Sequence, residues 1–480
     1  MTATSGEVSL RTILSYAVLI WPLALGQASL TYVAPYYSQQ LGLQLALVGG
    51  LLAAGRFYDM LCDITVGALS DRTTSRFGRR RPWVLIGMLL FIPALWVLFV
   101  PGSQISVTRY ALGLLIFFTG WTTAMIPYLS QGSEITHDHR KRGDINVLQS
   151  TVILLALFAA FALPFLLVDT RMQGVREGLS NFVAGLGSWS APVVEFLRAE
   201  KPQGVAGYGQ VMLIITIATS LGAPMALVLY LAFVPDRQTA IEGNKGGKVN
   251  AALLNPVFAR FNLGFVMIAV GYLSSQTLMP FIVVNALGLP NSFLYLLLIW
   301  FMASIVSLPF WTAAYRRFER TTCLTTAAFI EALGLLIVAL SPPGHETFVL
   351  VGFILRGIPG QVLLMAPYLI ASDCADYAHW KTGADTKGVH VSLISVIIKL
   401  GLLSGAGAIW LIGSLGFSPS VPVSSNVSLV LKLTALWLPA ALLTAGGLVI
   451  AGFPITRKRQ RAIQRRLDLR TGAMKAAAMV

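Results

Sequence analysis

The chain has 480 residues, 56% of them hydrophobic and only 11% charged, with 35 Lys and Arg against 20 Asp and Glu. A soluble domain carries about 25% charged residues, so the composition excludes a water-soluble globular protein. The net charge of +15 comes with no other feature of nucleic-acid binding, and no nucleic-acid partner is expected.

A bilayer core about 30 Å thick takes roughly 20 apolar residues per helix. Runs of that kind predict an all-α polytopic membrane protein with twelve spans: about 12–37, 44–70, 83–101, 107–129, 147–168, 207–234, 258–285, 291–313, 322–341, 346–371, 389–413 and 427–453. The polar start MTATSGEVSLRT lacks the n-region and cleavage site of a signal peptide. Pro22, Pro127, Pro164, Pro280 and Pro359 fall within spans and read as tolerated kinks. Cys62, Cys323 and Cys374 are scattered without metal or disulfide spacing. With both termini and the loops after even-numbered spans on one side, that side collects most of the Lys and Arg. Both termini are therefore expected in the cytoplasm, and the net charge is mostly topology. The tail ITRKRQRAIQRRLDLR serves orientation first and attraction to anionic headgroups second. His137-Asp138-His139 has metal-ligand residue types but reads as a solvated loop. The long external loop at about 169–206 is expected to form helical pieces on the membrane surface.

Two stretches recur 240 residues apart. Met125-Ile126-Pro127-Tyr128-Leu129 closes span four, and Met365-Ala366-Pro367-Tyr368-Leu369 lies at the end of span ten; Arg76 and Arg80 are matched by Arg316 and Arg320. Repeats in the same orientation imply two six-helix halves related by an axis along the membrane normal. The expected architecture is the major facilitator fold: an N-terminal bundle at 1–235, a cytoplasmic linker at 236–257, a C-terminal bundle at 258–454 and a basic tail at 455–480.

An ionisable residue at the middle of a spanning helix costs about 2.5–3.5 kcal/mol and is by default a functional hypothesis. Among acidic residues only Asp59, Asp63 and Glu331 fall well inside spans; the mid-span bases are Arg56, Arg356 and Lys399. Asp59 and Asp63 are four apart on span two and share a helix face with Arg56 one turn away. Two close carboxylates cannot both ionise cheaply without a cation, so either a proton or a metal cation is held there. Lys399, in span eleven at a similar depth, is placed to compete for the carboxylates and so to couple sites. A buried Asp–Lys or Asp–Arg pair that merely locks the halves together is the structural alternative. Glu331 on span nine and Arg356 on span ten would meet at one depth as a structural ion pair, with a role toward substrate as the alternative. Trp121 and Tyr128 on span four are candidates to face a cavity, with lipid-facing and core positions equally open.

Arg56, Asp59 and Asp63 followed by SDRTTSRFGRRRPWVLIG, together with SDCADYAHWKTG and VHVSLISVIIKLG further on, resemble the glycoside–pentoside–hexuronide:cation symporters, the melibiose permease-like family. The resemblance covers essentially the whole chain and implies the following roles. Asp59 and Asp63 would bind the coupling cation with Thr122 beside them, and Lys399 would link cation and substrate sites. Cys62 stands where the family has an asparagine, and a thiol is a poor ligand for a hard cation, which tips the choice of H⁺ or Na⁺ toward H⁺. The charged residues with which the family holds its sugar, on helices one, four and five, fall here near Ala24, at Met125 and around Gln149–Ser150. Trp121, Tyr128 and Gln149 are left as candidate substrate contacts.

The resemblance implies cation-driven symport of a glycoside or sugar derivative by alternating access, in a monomer of the cell membrane (the bacterial inner membrane) whose partners are substrate, coupling cation and lipid. No cofactor is expected beyond the cation. A second reading is an amphipathic cargo, because the vertebrate sodium-dependent lysophosphatidylcholine symporters share the fold and the helix-two Asp pair. A third is an intramembrane prenyltransferase in which Asp59 and Asp63 hold Mg²⁺-diphosphate with Asp373 and Asp376. Depth argues against it, since the latter two are expected in a loop, and no enzyme is expected.

Overall fold

The computed structural model describes residues 9–100, 106–135, 139–185, 191–199, 207–236, 256–382, 387–419, 425–454, 456, 458–460 and 462–466. Most of the linker and of the tail, and His137 and Asp138 of the His-Asp-His stretch, lie outside them. The regular structure of the described residues is helical throughout. Twelve helices are long and apolar enough to cross a membrane: Leu10–Gln40, Leu45–Arg72, Arg81–Phe99, Val107–Gly132, Val147–Val168, Tyr208–Phe233, Pro256–Ala286, Phe293–Arg317, Arg320–Leu340, Glu346–Lys381, Val389–Ser414 and Val427–Ile450. They are spans one to twelve below. Helix is the form an apolar segment must take in lipid, where each backbone N–H and C=O needs an internal partner.

Span ten departs most from expectation. It runs on to Lys381, so the polar stretch Ser372–Trp380 continues the helix, and Asp373 and Asp376 sit on it rather than in a loop. The apolar run ends near Ala371, but the backbone keeps its helical hydrogen bonds beyond that point. Span ten is also interrupted: helix Glu346–Gly357 gives way to Gly360–Thr382 across Ile358 and Pro359. Proline lacks the N–H that an unbroken ladder needs. Ser307 Oγ and Trp311 Nε1 donate to the Ile358 carbonyl at 2.8 and 2.7 Å, which satisfies the group left over at the break.

The chain divides into two compact units. The first comprises Met1–Ala240 with Val283–Leu298 and Ile409–Val423; the second comprises Ile241–Ile282, Ile299–Ala408 and Ser424–Val480. In the first unit, glycines let backbones touch. A Cβ on Gly120 of span four would lie 2.6 Å from the Phe91 nitrogen of span three, and one on Gly87 would strike the backbone of Ala124. Gly55 of span two lies against the Phe118 ring, which a Cβ there would approach to 2.8 Å. Spans two, three and four therefore hold one another at close range, and this sets the geometry of the charged face of span two. In the second unit Gly334 and Gly352 do the same for spans nine and ten: a Cβ on either would sit 3.0 Å from the other's carbonyl oxygen. The loop after span five carries short helices at Gln173–Ala184 and Ala191–Arg198.

Candidate functional site

Asp59 is 3% exposed on span two, and its Oδ1 accepts a 2.6 Å hydrogen bond from the Thr122 hydroxyl of span four, itself fully buried. The contact follows from packing already described. Gly55, one turn before Asp59, seats Phe118, one turn before Thr122, so the two helices run in register through consecutive turns. Asp63 follows one turn on and is half-buried. Arg56, also half-buried, lies with its guanidinium carbon 5.1 Å from the Phe118 ring centroid, an attraction worth about 0.5–2 kcal/mol. Tyr58 and Thr119 share a 2.9 Å hydrogen bond on the flank. Cys62, between the two carboxylates in sequence, is buried. Span four thus presents hydroxyl and aromatic groups to the charged face of span two. Carboxylate and hydroxyl oxygens are the ligand types that hard cations and protons take.

Phe118 was not among the residues expected at this site. The signal for it was available: it is four residues before Thr122, as Gly55 is four before Asp59, and side chains at that spacing stack on one helix face.

The candidate substrate contacts divide. Trp121 is half-buried, and its indole Nε1 is buried with no hydrogen-bond partner among the described residues. Gln149 is half-buried and its side chain reaches the Tyr128 hydroxyl. Tyr128 itself is fully buried. Its hydroxyl donates to the Tyr16 carbonyl at 3.0 Å, the Tyr16 hydroxyl donates to the Tyr128 carbonyl at 2.9 Å, and the rings stack at 4.4 Å. Of the positions open to Tyr128, the core is the one observed: it clasps span one to span four inside the packed core. Near the end of an apolar span an aromatic residue reads the same whether it lines a cavity or a core, and only the partner on span one decides.

Lys399 lies half-buried on span eleven, in the second unit. The second unit also holds Glu331 and Arg356, both fully buried, with Arg356 Nε donating to Glu331 Oε1 at 2.9 Å. Arg356 Nη2 donates to Ser275 Oγ of span seven at 3.2 Å. The contact is single rather than forked, and the close Gly334–Gly352 crossing brings the two helices near enough to make it. Asp373 is paired to Arg320 at 2.6 Å, and Asp376 accepts from Gln460 Nε2 at 2.8 Å. These two carboxylates are bound up in the second unit, on a helix where a loop was expected when depth was weighed against the prenyltransferase reading.

The model of the MFS/sugar transport protein family matches residues 20–457. The chain belongs to that family. It is 23% identical to the putative glycoside/cation symporter YagG of Escherichia coli, over 92% of this chain and 91% of that one. It is 20% identical to the sodium-dependent lysophosphatidylcholine symporter 1-A of Danio rerio, over 87% of this chain and 80% of that one. In fold it is similar to a mutant of the nucleoside transporter NupG, with a TM-score of 0.62 at 10% identity, covering 91% of this chain and 99% of that one. As a member of the MFS/sugar transport family, with twelve span-length helices, the protein is a multi-pass membrane transporter of the major facilitator fold and not an enzyme.

Proposed function

We propose that the protein is a cation-coupled symporter of a glycoside or sugar derivative, working by alternating access. The observation that carries this reading is the 2.6 Å contact between Asp59 and Thr122, which joins a buried carboxylate of span two to a hydroxyl of span four. Asp59, Asp63 and Thr122 form the cation site, for H⁺ or Na⁺. Both carboxylates are negative when free of protons, so uptake of one cation lowers the cost of keeping them in the membrane. Arg56 and Lys399 act as the coupling charges. Trp121 offers substrate an aromatic face and an indole N–H that nothing else described uses, a pairing suited to the C–H face and hydroxyls of a sugar. Gln149 stands second to it.

The cargo has a rival. By the resemblance to the symporter family, the positions of its charged sugar ligands fall near Ala24, at Met125 and around Gln149–Ser150, and one relative is named for lysophosphatidylcholine. An amphipathic substrate tolerates an apolar pocket better than a free sugar does. The deciding experiment is thermal stability of the purified protein against panels of glycosides and lysophospholipids, with and without Na⁺ and at two pH values. Stabilisation by a glycoside that strengthens with the coupling cation and disappears in Asp59→Asn supports the proposal. Stabilisation by lysophospholipids alone replaces the cargo but keeps the cation site, and cation-independent binding in both panels overturns the symport reading.

A further inference from the structure

Beyond span twelve the basic tail turns back onto the second unit. Residues 458–460 and 462–466 are helical, and Gln460 and Ile463 are buried. Gln460 Nε2 donates to Asp376, and the Arg466 guanidinium carbon lies 5.5 Å from the Trp380 ring centroid. The helical period separates two faces. Positions 456, 460 and 464 line a cavity of about 520 Å³ shared with Arg316, Glu319, Arg320 and Asp373. Positions 459, 463 and 466 line another of about 350 Å³, within the range of about 300–1,000 Å³ usual for ligand sites.

The two recesses differ in charge. The larger holds two arginines and two carboxylates, with Arg320 already bonded to Asp373, so it shows no net preference. In the smaller, the floor is Val257, Tyr377, Trp380 and Ile463, and the charged lining residues are Arg459 and Arg466, with no carboxylate among the described lining. Both arginines are exposed. Arg459 Nη1 donates to the Pro454 carbonyl at 2.8 Å, which occupies one of the five N–H donors of a guanidinium. Val257 opens span seven, while Tyr377 and Trp380 lie in the last turns of span ten. The recess therefore sits where helices leave the hydrocarbon, the level at which Tyr and Trp gather.

We propose that this recess binds an anionic phospholipid of the bilayer, its phosphate between Arg459 and Arg466 and its first acyl carbons on the Tyr377–Trp380–Ile463 floor. Guanidinium groups match phosphate oxygens in a forked geometry, and an aromatic floor beside them removes methylenes from water. Free phosphate satisfies the arginines but leaves that floor uncovered. A membrane lipid satisfies both at the depth where lipids present their headgroups. The tail helix is thus a lipid-binding element in addition to an orientation signal, and the site is independent of the transported substrate.

The test uses the full chain in phosphatidylcholine vesicles, titrated with phosphatidylglycerol or further phosphatidylcholine brominated on the acyl chain. The Trp380 part of the fluorescence is obtained by difference from Trp380→Phe. Brominated phosphatidylglycerol should quench that part at a mole fraction about tenfold to thirtyfold lower than brominated phosphatidylcholine, as expected for two arginines near the surface. Arg459→Gln/Arg466→Gln should equalise the two lipids, and Arg459→Lys/Arg466→Lys, which preserves charge but not the forked donor geometry, should keep only part of the preference. Equal quenching in the unaltered chain overturns the proposal, as does a preference that survives the double glutamine variant. Relief of the quenching by millimolar inorganic phosphate would make this an anion site rather than a lipid site, and also overturns it.

Discussion

Two groups of mid-span charges among the described residues are built on opposite plans. In the second unit Glu331 meets Arg356 one to one, both sealed from solvent, behind a crossing of two glycines. In the first unit span two carries two carboxylates and one guanidinium on one face, Asp59 is bonded to a neutral hydroxyl, and Asp63 and Arg56 are half-buried. The first arrangement balances its own charge and has no need of an external ion. The second groups oxygen ligands around excess negative charge beside a partly accessible face, which suits an ion that arrives and leaves. The cost of a charge in the membrane is met internally in one case and, on our proposal, by the coupling cation in the other.

Substitutions can break this contrast. The largest expected effect is on Asp59: Asp59→Asn should abolish uphill transport in proteoliposomes while the protein still folds and binds to a size-exclusion profile like that of the parent. Uphill transport at more than about a tenth of the parental rate would remove Asp59 from the coupling site. Glu331→Gln should do the reverse and lower stability, by about 3–5 kcal/mol, because a buried guanidinium loses its partner. Replacing both members, as Glu331→Leu/Arg356→Met, should recover most of that loss, since two charges leave the membrane together. If the single variant melts with the parent, the pair is not structural.

Smaller effects sharpen the picture. Thr122→Val keeps the shape but removes the hydroxyl. It should weaken cation affinity by about tenfold to a hundredfold, the worth of a hydrogen bond to a charged group, whereas Thr122→Ser should restore it. Equilibrium cation titration of substrate binding reads both. Phe118→Leu should cost about 0.5–1 kcal/mol, from loss of the cation–π contact to Arg56. Phe118 is also packed on Gly55, so the cation–π part is read as the portion of the thermal-unfolding shift that vanishes in an Arg56→Gln background.

Much of the fold was legible because lipid is an unforgiving solvent. Runs of apolar residues near the hydrocarbon thickness left helix as the form available, and the twelve observed spans overlap the twelve expected ones. The charged residues of span two were legible for the same reason: Asp59 and Asp63 stand out against an apolar background at a spacing that shares a face. Hydropathy failed at the ends. It stopped span ten at the last apolar residue, although the helix continues through Asp373 and Asp376, because backbone hydrogen bonding does not require an apolar side chain.

Side-chain partnership divides the rest. Spacing along one helix is contained in the chain, so the alignment of Asp59 with Asp63, and of Phe118 with Thr122, follows from helical period alone. Partnership across helices depends on which faces touch and how closely, and this is decided by small residues distributed over distant segments. Gly55, Gly87 and Gly120 bring Thr122 onto Asp59; Gly334 and Gly352 bring Glu331 onto Arg356. The same packing took Tyr128 away from any cavity and gave it to Tyr16. The charged and polar residues of the candidate site were therefore written locally, in the types and periods of residues, while the assignment of each side chain to site or core waited on contacts that no single segment specifies.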